Sequence, residues 1–225
     1  MAAVFITSTG TDIGKTFVAR GLVRVLRKNG RKVEALKPVV SGFEPREAEG
    51  SDPGLLLAAL GAEVTDEAIA RVAPWRFAAP VSPHIAARRE GREIDFAGVV
   101  EFSRRAVAQH TDALLIEGAG GIMVPLDGTH TVLDWMSALE LPVILVAGSY
   151  LGAISHTLSA LDVLARRGLK VAAVVVSETA GNALELDEMT AAIAQFAPAL
   201  AVIGIPRLPS GTLDHPAFGR IAEQL

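Results

Sequence analysis

Six short apolar runs, at residues 3–7, 32–36, 113–116, 142–147, 171–176 and 201–205, constrain this chain more than any other feature. They are nearly continuous and rich in Val and Ile rather than alternating, as strands buried on both faces must be. The segments between them have the length and spacing of helices. Residues 15–28 put Val18, Leu22, Val25 and Leu26 on one face. Residues 151–167 do the same with Leu151, Ile154, Leu158, Leu161 and Leu164, and Gly168 stops the helix. Strand–helix alternation of this kind predicts an α/β fold, a mostly parallel central sheet with helices on both faces. Residues 38–91 depart from the pattern, carrying Pro, Gly and charge with short helical pieces at 53–60 and 66–72. Ligands of such folds bind outside the carboxyl ends of the strands, so an insertion there is where function is expected. No repeat, low-complexity tract or linker interrupts the chain, and residues 1–225 are expected to form a single domain.

Composition narrows the function classes. A net charge of −4 with no Lys/Arg run longer than two argues against a nucleic-acid or anionic-membrane partner. The chain has no cysteine, which excludes disulfides, thiolate nucleophiles and Cys-ligated metal and fits a reducing compartment. The N-terminus has no basic segment before its short apolar stretch, and no apolar run approaches the ~20 residues that span a bilayer. A cytoplasmic location is expected.

The chemistry begins at residues 7–16, T-S-T-G-T-D-I-G-K-T. Gly14-Lys15-Thr16 follows a predicted strand and opens an amphipathic helix, the context a phosphate-binding loop requires. Backbone N–H groups at the helix start would face an anion, Lys15 would reach the β- and γ-phosphates, and the Thr16 hydroxyl would ligate Mg²⁺. The plainer alternative is a strand-to-helix turn with a solvated lysine. A second acidic element comes from the strand that ends at Glu117 and is followed by Gly118, Ala119, Gly120 and Gly121, small residues that permit close backbone approach. Asp52, in Gly-Ser-Asp-Pro, is either a further metal ligand or only a helix N-cap before Pro53. Lys37 ends the second strand on the same sheet edge as the loop. It is either an exposed strand-end lysine or a second cation that stabilises a transferring phosphoryl group.

Taken together, G-T-D-I-G-K-T, L-K-P-V-V-S-G, G-S-D, F-A-A-P-V-S-P-H-I-A, I-E-G-A-G-G with V-P-L downstream, and L-P-V-I-L-V-A-G-S-Y-L-G-A-I-S-H-T resemble the successive motifs of the dethiobiotin synthetase family, in order from residue 4 to about residue 206. The resemblance implies a P-loop NTPase fold and an ATP- and Mg²⁺-dependent ligase that builds the ureido ring of dethiobiotin from 7,8-diaminononanoate and CO₂. It implies that Asp12, Ile13, Gly14, Lys15 and Thr16, with Asp52, Glu117, Gly118, Ala119 and Gly120, hold the nucleotide, and that Ser177, Glu178, Pro206, Arg207 and Leu208 lie along it. Thr16, Asp52 and Glu117 would be the Mg²⁺ ligands. Lys37, Lys15 and Thr11 would act at the reacting centre, and Thr11, Ser41, Pro80 and Ser82 would meet the diamine. The substrate's carboxylate tail would reach Gly152, Ala153, Ile154 and Ser155 across a homodimer interface, unless Ser149 simply caps that helix.

Departures from the family pattern stand beside the matches. Ser8 occupies a glycine position of the loop, tolerable only without positive φ, and Gly10 is expected to supply the missing flexibility. At the end of the fifth strand the family often places an asparagine that reads adenine, where this chain has Ser177-Glu178. Beyond Pro206-Arg207-Leu208 the family often carries a glutamate near the ribose, where Ser210 stands. Relaxed nucleotide selectivity is the expectation. His84 is read as structural, and Trp75 and Trp135 as core or interface. Three rival classes are weaker. A MinD- or ParA-like ATPase switch often has an extra lysine in the loop, and residues 8–13 contain none. A cobyrinate-type amidoligase needs a cysteine glutaminase domain, and a nucleotide kinase an Arg-rich lid.

Overall fold

The computed structural model describes residues 2–181 and 184–225. Strands β1 (Ala2–Ser8), β2 (Val33–Leu36), β3 (Val39–Ser41), β4 (Trp75–Phe77), β5 (Ala113–Glu117), β6 (Val143–Gly148), β7 (Val171–Ser177) and β8 (Ala201–Ile205) realise all six runs. Among the described residues β2-β5-β1-β6-β7-β8 form one sheet, every pair parallel. Parallel neighbours require crossovers, and these are the helices α1 (Lys15–Lys28), α2 (Asp52–Ala59), α3 (Asp66–Val72), α4 (Pro83–Arg89), α5 (Phe96–Gln109), α6 (Val132–Leu139), α7 (Ala153–Arg166), α8 (Leu186–Phe196) and α9 (Pro216–Ala222).

Alternation along each strand sends successive side chains to opposite layers. Val4 and Ile6 pack with Val18 and Leu22 of α1 and Phe218 of α9. Phe5, between them, packs with Trp135 of α6 and Val99 of α5. Its ring meets Trp135 edge-on with centroids 4.8 Å apart. Each of these fully buried side chains contributes about 1.5–3 kcal/mol of burial free energy. A Cβ on Gly21 would lie 2.0 Å from Phe218 Cε1, so α1 and α9 reach their observed separation only with glycine there.

Two expectations need correction. Residues 38–91 hold more than short helices, because β3 and β4 pair in parallel as a separate small sheet, Val39 opposite Trp75 and Ser41 opposite Phe77. The apolar stripe expected to bury α7 is only partly inward, with Leu164 alone of its members fully buried. Leu151 precedes the helix and is 91% exposed, Ile154, Leu158 and Leu161 are half-buried, and the buried positions are Ala153, Thr157, Ala160 and Leu164. Small residues at three of the four buried positions allow close backbone approach, and this leaves Ile154, Leu158 and Leu161 at the margin of the buried face.

Register brings the strand ends together. Ile6 lies opposite Glu117, Ser8 opposite Val146, Leu36 opposite Ile116 and Gly148 opposite Ser177. The carboxyl ends of β1, β2, β5, β6 and β7 therefore share one edge of the sheet, and the phosphate loop rises from its centre.

Candidate nucleotide and metal site

The loop leaves β1 at Ser8, which is fully buried and absent from the positive-φ residues, so serine is tolerated there. Gly10 does not supply the flexibility. The left-handed residues are Asp12 at φ 56° and Gly14 at φ 101°, the latter at the N-cap of α1. Gly14 has a second reason to be glycine, since a Cβ there would stand 2.8 Å from Ser177 Oγ. Ile13 is buried in the core beneath the loop and anchors it.

Lys15 bends back into the loop and donates to Ser8 Oγ at 3.1 Å and Gly10 O at 3.4 Å. Burial and the nearby Lys37 charge lower its pKa to about 8. The Ser8 hydroxyl approaches Gly10 O and Gly120 O, which ties the loop to the turn after β5. Backbone contact is close here as well, because a Cβ on Gly121 would lie 3.2 Å from Gly10 N. Gly118 donates its N–H to Ile6 O at 2.9 Å and backs onto Phe5.

The acidic half of the site forms where β5, β2 and α2 converge. Thr16 Oγ1 donates to Glu117 Oε1 at 2.7 Å. Lys37 Nζ bridges the same Glu117 oxygen and Asp52 Oδ2, the latter at 3.0 Å. Glu117 is 1% and Lys37 4% exposed, so Lys37 is no strand-end surface lysine. Burial alone would lower the Lys37 ammonium, but the Glu117 and Asp52 carboxylates outweigh it and hold the pKa above the ordinary lysine value. Burial would likewise raise Asp52, yet Lys37 and the Thr16 hydroxyl hold its carboxyl below the usual range. Asp52 is not the helix cap. Ser51 is, accepting from Gly54 N at 3.3 Å, and this leaves the Asp52 carboxylate for Lys37.

These groups line one cleft of about 340 Å³, together with Thr11, Asp12, Gly14, Ser41, Ala119 and Gly120. Phe17, Val39 and Val40 also line it. Sequence reasoning passed over these three because nothing distinguishes them from core residues. Other expected residues lie beside the cleft or away from it. Glu178 and Arg207 meet past the ends of β7 and β8, where Glu178 N donates to Ile205 O at 3.0 Å and Arg207 N to Glu178 Oε2 at 2.8 Å. Pro206 lies between these contacts, and Leu208 packs against the α1 layer. Pro80 packs against Gly42, next to Ser41, whereas Ser82 Oγ is 3.1 Å from His84 Nδ1. Gly152, Ile154 and Ser155 line a different hollow, with Leu151, Leu158 and Phe196, and Ala153 is buried at the start of α7. Ser149 does not cap α7. Its hydroxyl pairs with Thr179 at 3.0 Å, and Gly152 sits at the N-cap with no side-chain bond.

A parallel sheet with a G-K-T loop at its centre, a buried lysine and a carboxylate on the neighbouring strand define a P-loop nucleotide-hydrolysing fold. The family model described as "AAA domain" matches residues 2–213. Among solved structures, the fold is similar to the septum site-determining protein MinD complexed with Mg-ADP from Pyrococcus horikoshii, with a TM-score of 0.60 and 16% identity over 99% of this chain and 95% of that one. At that identity the likeness shows the fold alone.

Relatives are far closer in sequence. The chain is 51% identical to the ATP-dependent dethiobiotin synthetase BioD of Acidiphilium cryptum, over 79% of this chain and 80% of that one. It is 49% identical to that of a Caulobacter species, over 92% and 89%, and 40% identical to that of Pseudomonas aeruginosa, over 94% and 92%. The chain belongs to the ATP-dependent dethiobiotin synthetase family and is an ATP-dependent ligase. The switch reading is not favoured, although its fold is the same. No helix among the described residues is long and apolar enough to cross a membrane.

Proposed function

We propose that the chain joins 7,8-diaminononanoate and CO₂ at the expense of ATP to give dethiobiotin, ADP and phosphate, a step of biotin biosynthesis. One observation carries this reading: two buried lysines, a threonine hydroxyl and two carboxylates converge in a single cleft. Neither thiol nor imidazole is among the residues lining it, which favours activation by phosphoryl transfer over a covalent enzyme intermediate.

In this reading one substrate amine captures CO₂ as a carbamate, whose oxygen attacks the γ-phosphorus while the bond to the β-phosphate bridging oxygen breaks and ADP leaves. The second amine then attacks the carbonyl carbon of the mixed anhydride, phosphate departs and the ring closes. Lys15 and the amides of Asp12, Ile13 and Gly14 hold the phosphates. Lys37 neutralises the carbamate and the transferring phosphoryl group, while Thr11 and Ser41 orient the diamine. Most of the rate comes from positioning and charge stabilisation.

Thr16, Asp52 and Glu117 fit a magnesium ion. They offer the hard oxygen donors that it prefers, and Glu117 Oε2 is buried without a hydrogen-bond partner in the protein, an oxygen that a cation would satisfy. Held there, the ion supplies charge neutralisation on the phosphates.

The active form is a homodimer, and its work is in the cytoplasm. The support for a dimer is the exposed apolar cluster of Leu151 at 91%, Phe196 at 69% and Leu184 at 40%, which adjoins the first turn of α7. The substrate's tail carboxylate binds that turn in the second copy, where the helix start carries no side-chain cap.

The test is phosphate release with Mg-ATP and bicarbonate, with and without 7,8-diaminononanoate, and product mass by spectrometry. Diamine-dependent phosphate with matching dethiobiotin is expected. Turnover independent of the diamine would refute the reading.

A further inference from the structure

Lys37 and a divalent cation have a claim on the same two carboxylates. The Lys37 ammonium touches Glu117 Oε1 and lies 3.0 Å from Asp52 Oδ2, and the Thr16 hydroxyl, 2.7 Å from Glu117 Oε1, completes the cluster. Lys37 and Glu117 are both buried, with side chains 5% and 1% exposed. Water screens little there, and like charges a few ångströms apart repel strongly. Lys15, the other buried cation, is held by Ser8 and Gly10 rather than by a carboxylate. Lys37 is therefore the chief neutraliser of Asp52 and Glu117.

We propose that Lys37 is a resident counter-cation of the metal site, so that metal binding and the Lys37–carboxylate contacts oppose one another. Linkage makes the opposition reciprocal. The ammonium weakens metal affinity, and a bound metal loosens Lys37 from Asp52 and Glu117. The lysine N–H groups are then released toward a carbamate once metal and nucleotide are in place. A lysine bound there also pairs the buried Glu117 charge before loading, since a buried carboxylate left unpaired is costly.

This inference rests on the assignment of Thr16, Asp52 and Glu117 to the metal, and the test separates the two. Mn²⁺ binding to the full chain is measured by the loss of the free-ion electron paramagnetic resonance signal, with and without ADP. Lys37→Met, near in volume but uncharged, is expected to bind Mn²⁺ at least about tenfold more tightly than wild type, and Lys37→Arg to keep wild-type affinity. Equal or weaker Mn²⁺ binding by Lys37→Met overturns the proposal. Should circular dichroism show that Lys37→Met does not fold, Lys37→Gln, uncharged but able to donate to both carboxylates, carries the same test. Glu117→Gln reports on the underlying assignment. If it leaves Mn²⁺ affinity unchanged, the metal does not use this carboxylate. If it abolishes binding while Lys37→Met gains none, only the counter-cation falls.

Discussion

Thr16 Oγ1 donates a 2.7 Å hydrogen bond to Glu117 Oε1, joining the first turn of α1 to the last residue of β5 across 101 positions of sequence. A hydrogen bond to a charged group is worth about 1.5–3 kcal/mol, and this one also aims the hydroxyl and the carboxylate at a common point. Thr16→Ala should lower kcat/KM for ATP by about tenfold to a hundredfold, while Thr16→Ser, which keeps the hydroxyl, stays near wild type. Steady-state kinetics at varied Mg-ATP decide it, and equal losses in the two variants would show that the methyl group matters instead.

Gly14 carries φ 101° at the N-cap of α1 with Ser177 Oγ at its back. An alanine pays about 1–2 kcal/mol for left-handed backbone and meets that hydroxyl as well. Gly14→Ala is expected to lower the melting temperature and to weaken ADP binding at least about tenfold. Asp12→Gly, at the other left-handed position, should leave stability within about 1 kcal/mol. Calorimetry of both variants tests the pair, and unchanged ADP affinity in Gly14→Ala would count against a loop that reads the phosphates.

Lys15, with its pKa near 8 in the free protein, should respond to nucleotide. Phosphate charge favours the ammonium, so binding raises that pKa and the complex takes up a proton around pH 8–8.5. Affinity should accordingly fall as pH rises through 8. Titration calorimetry of ADP without metal at pH 8.5, in buffers of different ionisation enthalpy, measures the uptake directly. At that pH the nucleotide phosphates are already deprotonated, so zero uptake would mean that Lys15 either is fully charged before binding or does not meet them.

Ser177 packs at Gly14, and the Glu178 carboxylate accepts from Arg207 N at 2.8 Å. Neither presents the carboxamide that reads adenine in the resembling family. Turnover with CTP or GTP at equal concentration is therefore expected to stay within about tenfold of that with ATP, since losing one base-edge bond costs about 1 kcal/mol. A strict preference for ATP would place base recognition on other groups.

The apolar hollow beside the start of α7 bears on assembly. Leu151→Arg combined with Phe196→Arg puts charge into the proposed interface, at residues too exposed to support the monomer core. The variant should elute as a folded monomer in size-exclusion chromatography and lose diamine-dependent turnover. A variant that remained dimeric and active would move the interface elsewhere.

What could be read from the sequence was what local patterns encode. Near-continuous Val/Ile runs specify strands buried on two faces, and the phosphate loop is contiguous, so residues 14–16 announce their chemistry without any partner. The roles of Asp52 and Lys37 were open at that level, because a carboxylate before a proline reads equally as a helix cap, and a lysine at a strand end equally as a surface charge. Only the register of β2 on β5, which sets Leu36 beside Ile116, together with the Ser51 cap that leaves Asp52 unused, brings Lys37 onto Asp52 and Glu117. The buried side of α7 was read from its leucine stripe and needed correction for a similar reason. Its leucine stripe and its Ala-Thr-Ala stripe are both regular, and periodicity does not weigh close backbone approach against side-chain size. Folding made that choice: Ala153, Thr157 and Ala160 are buried with Leu164, because small side chains let the backbone come close, and Ile154, Leu158 and Leu161 stay half-buried.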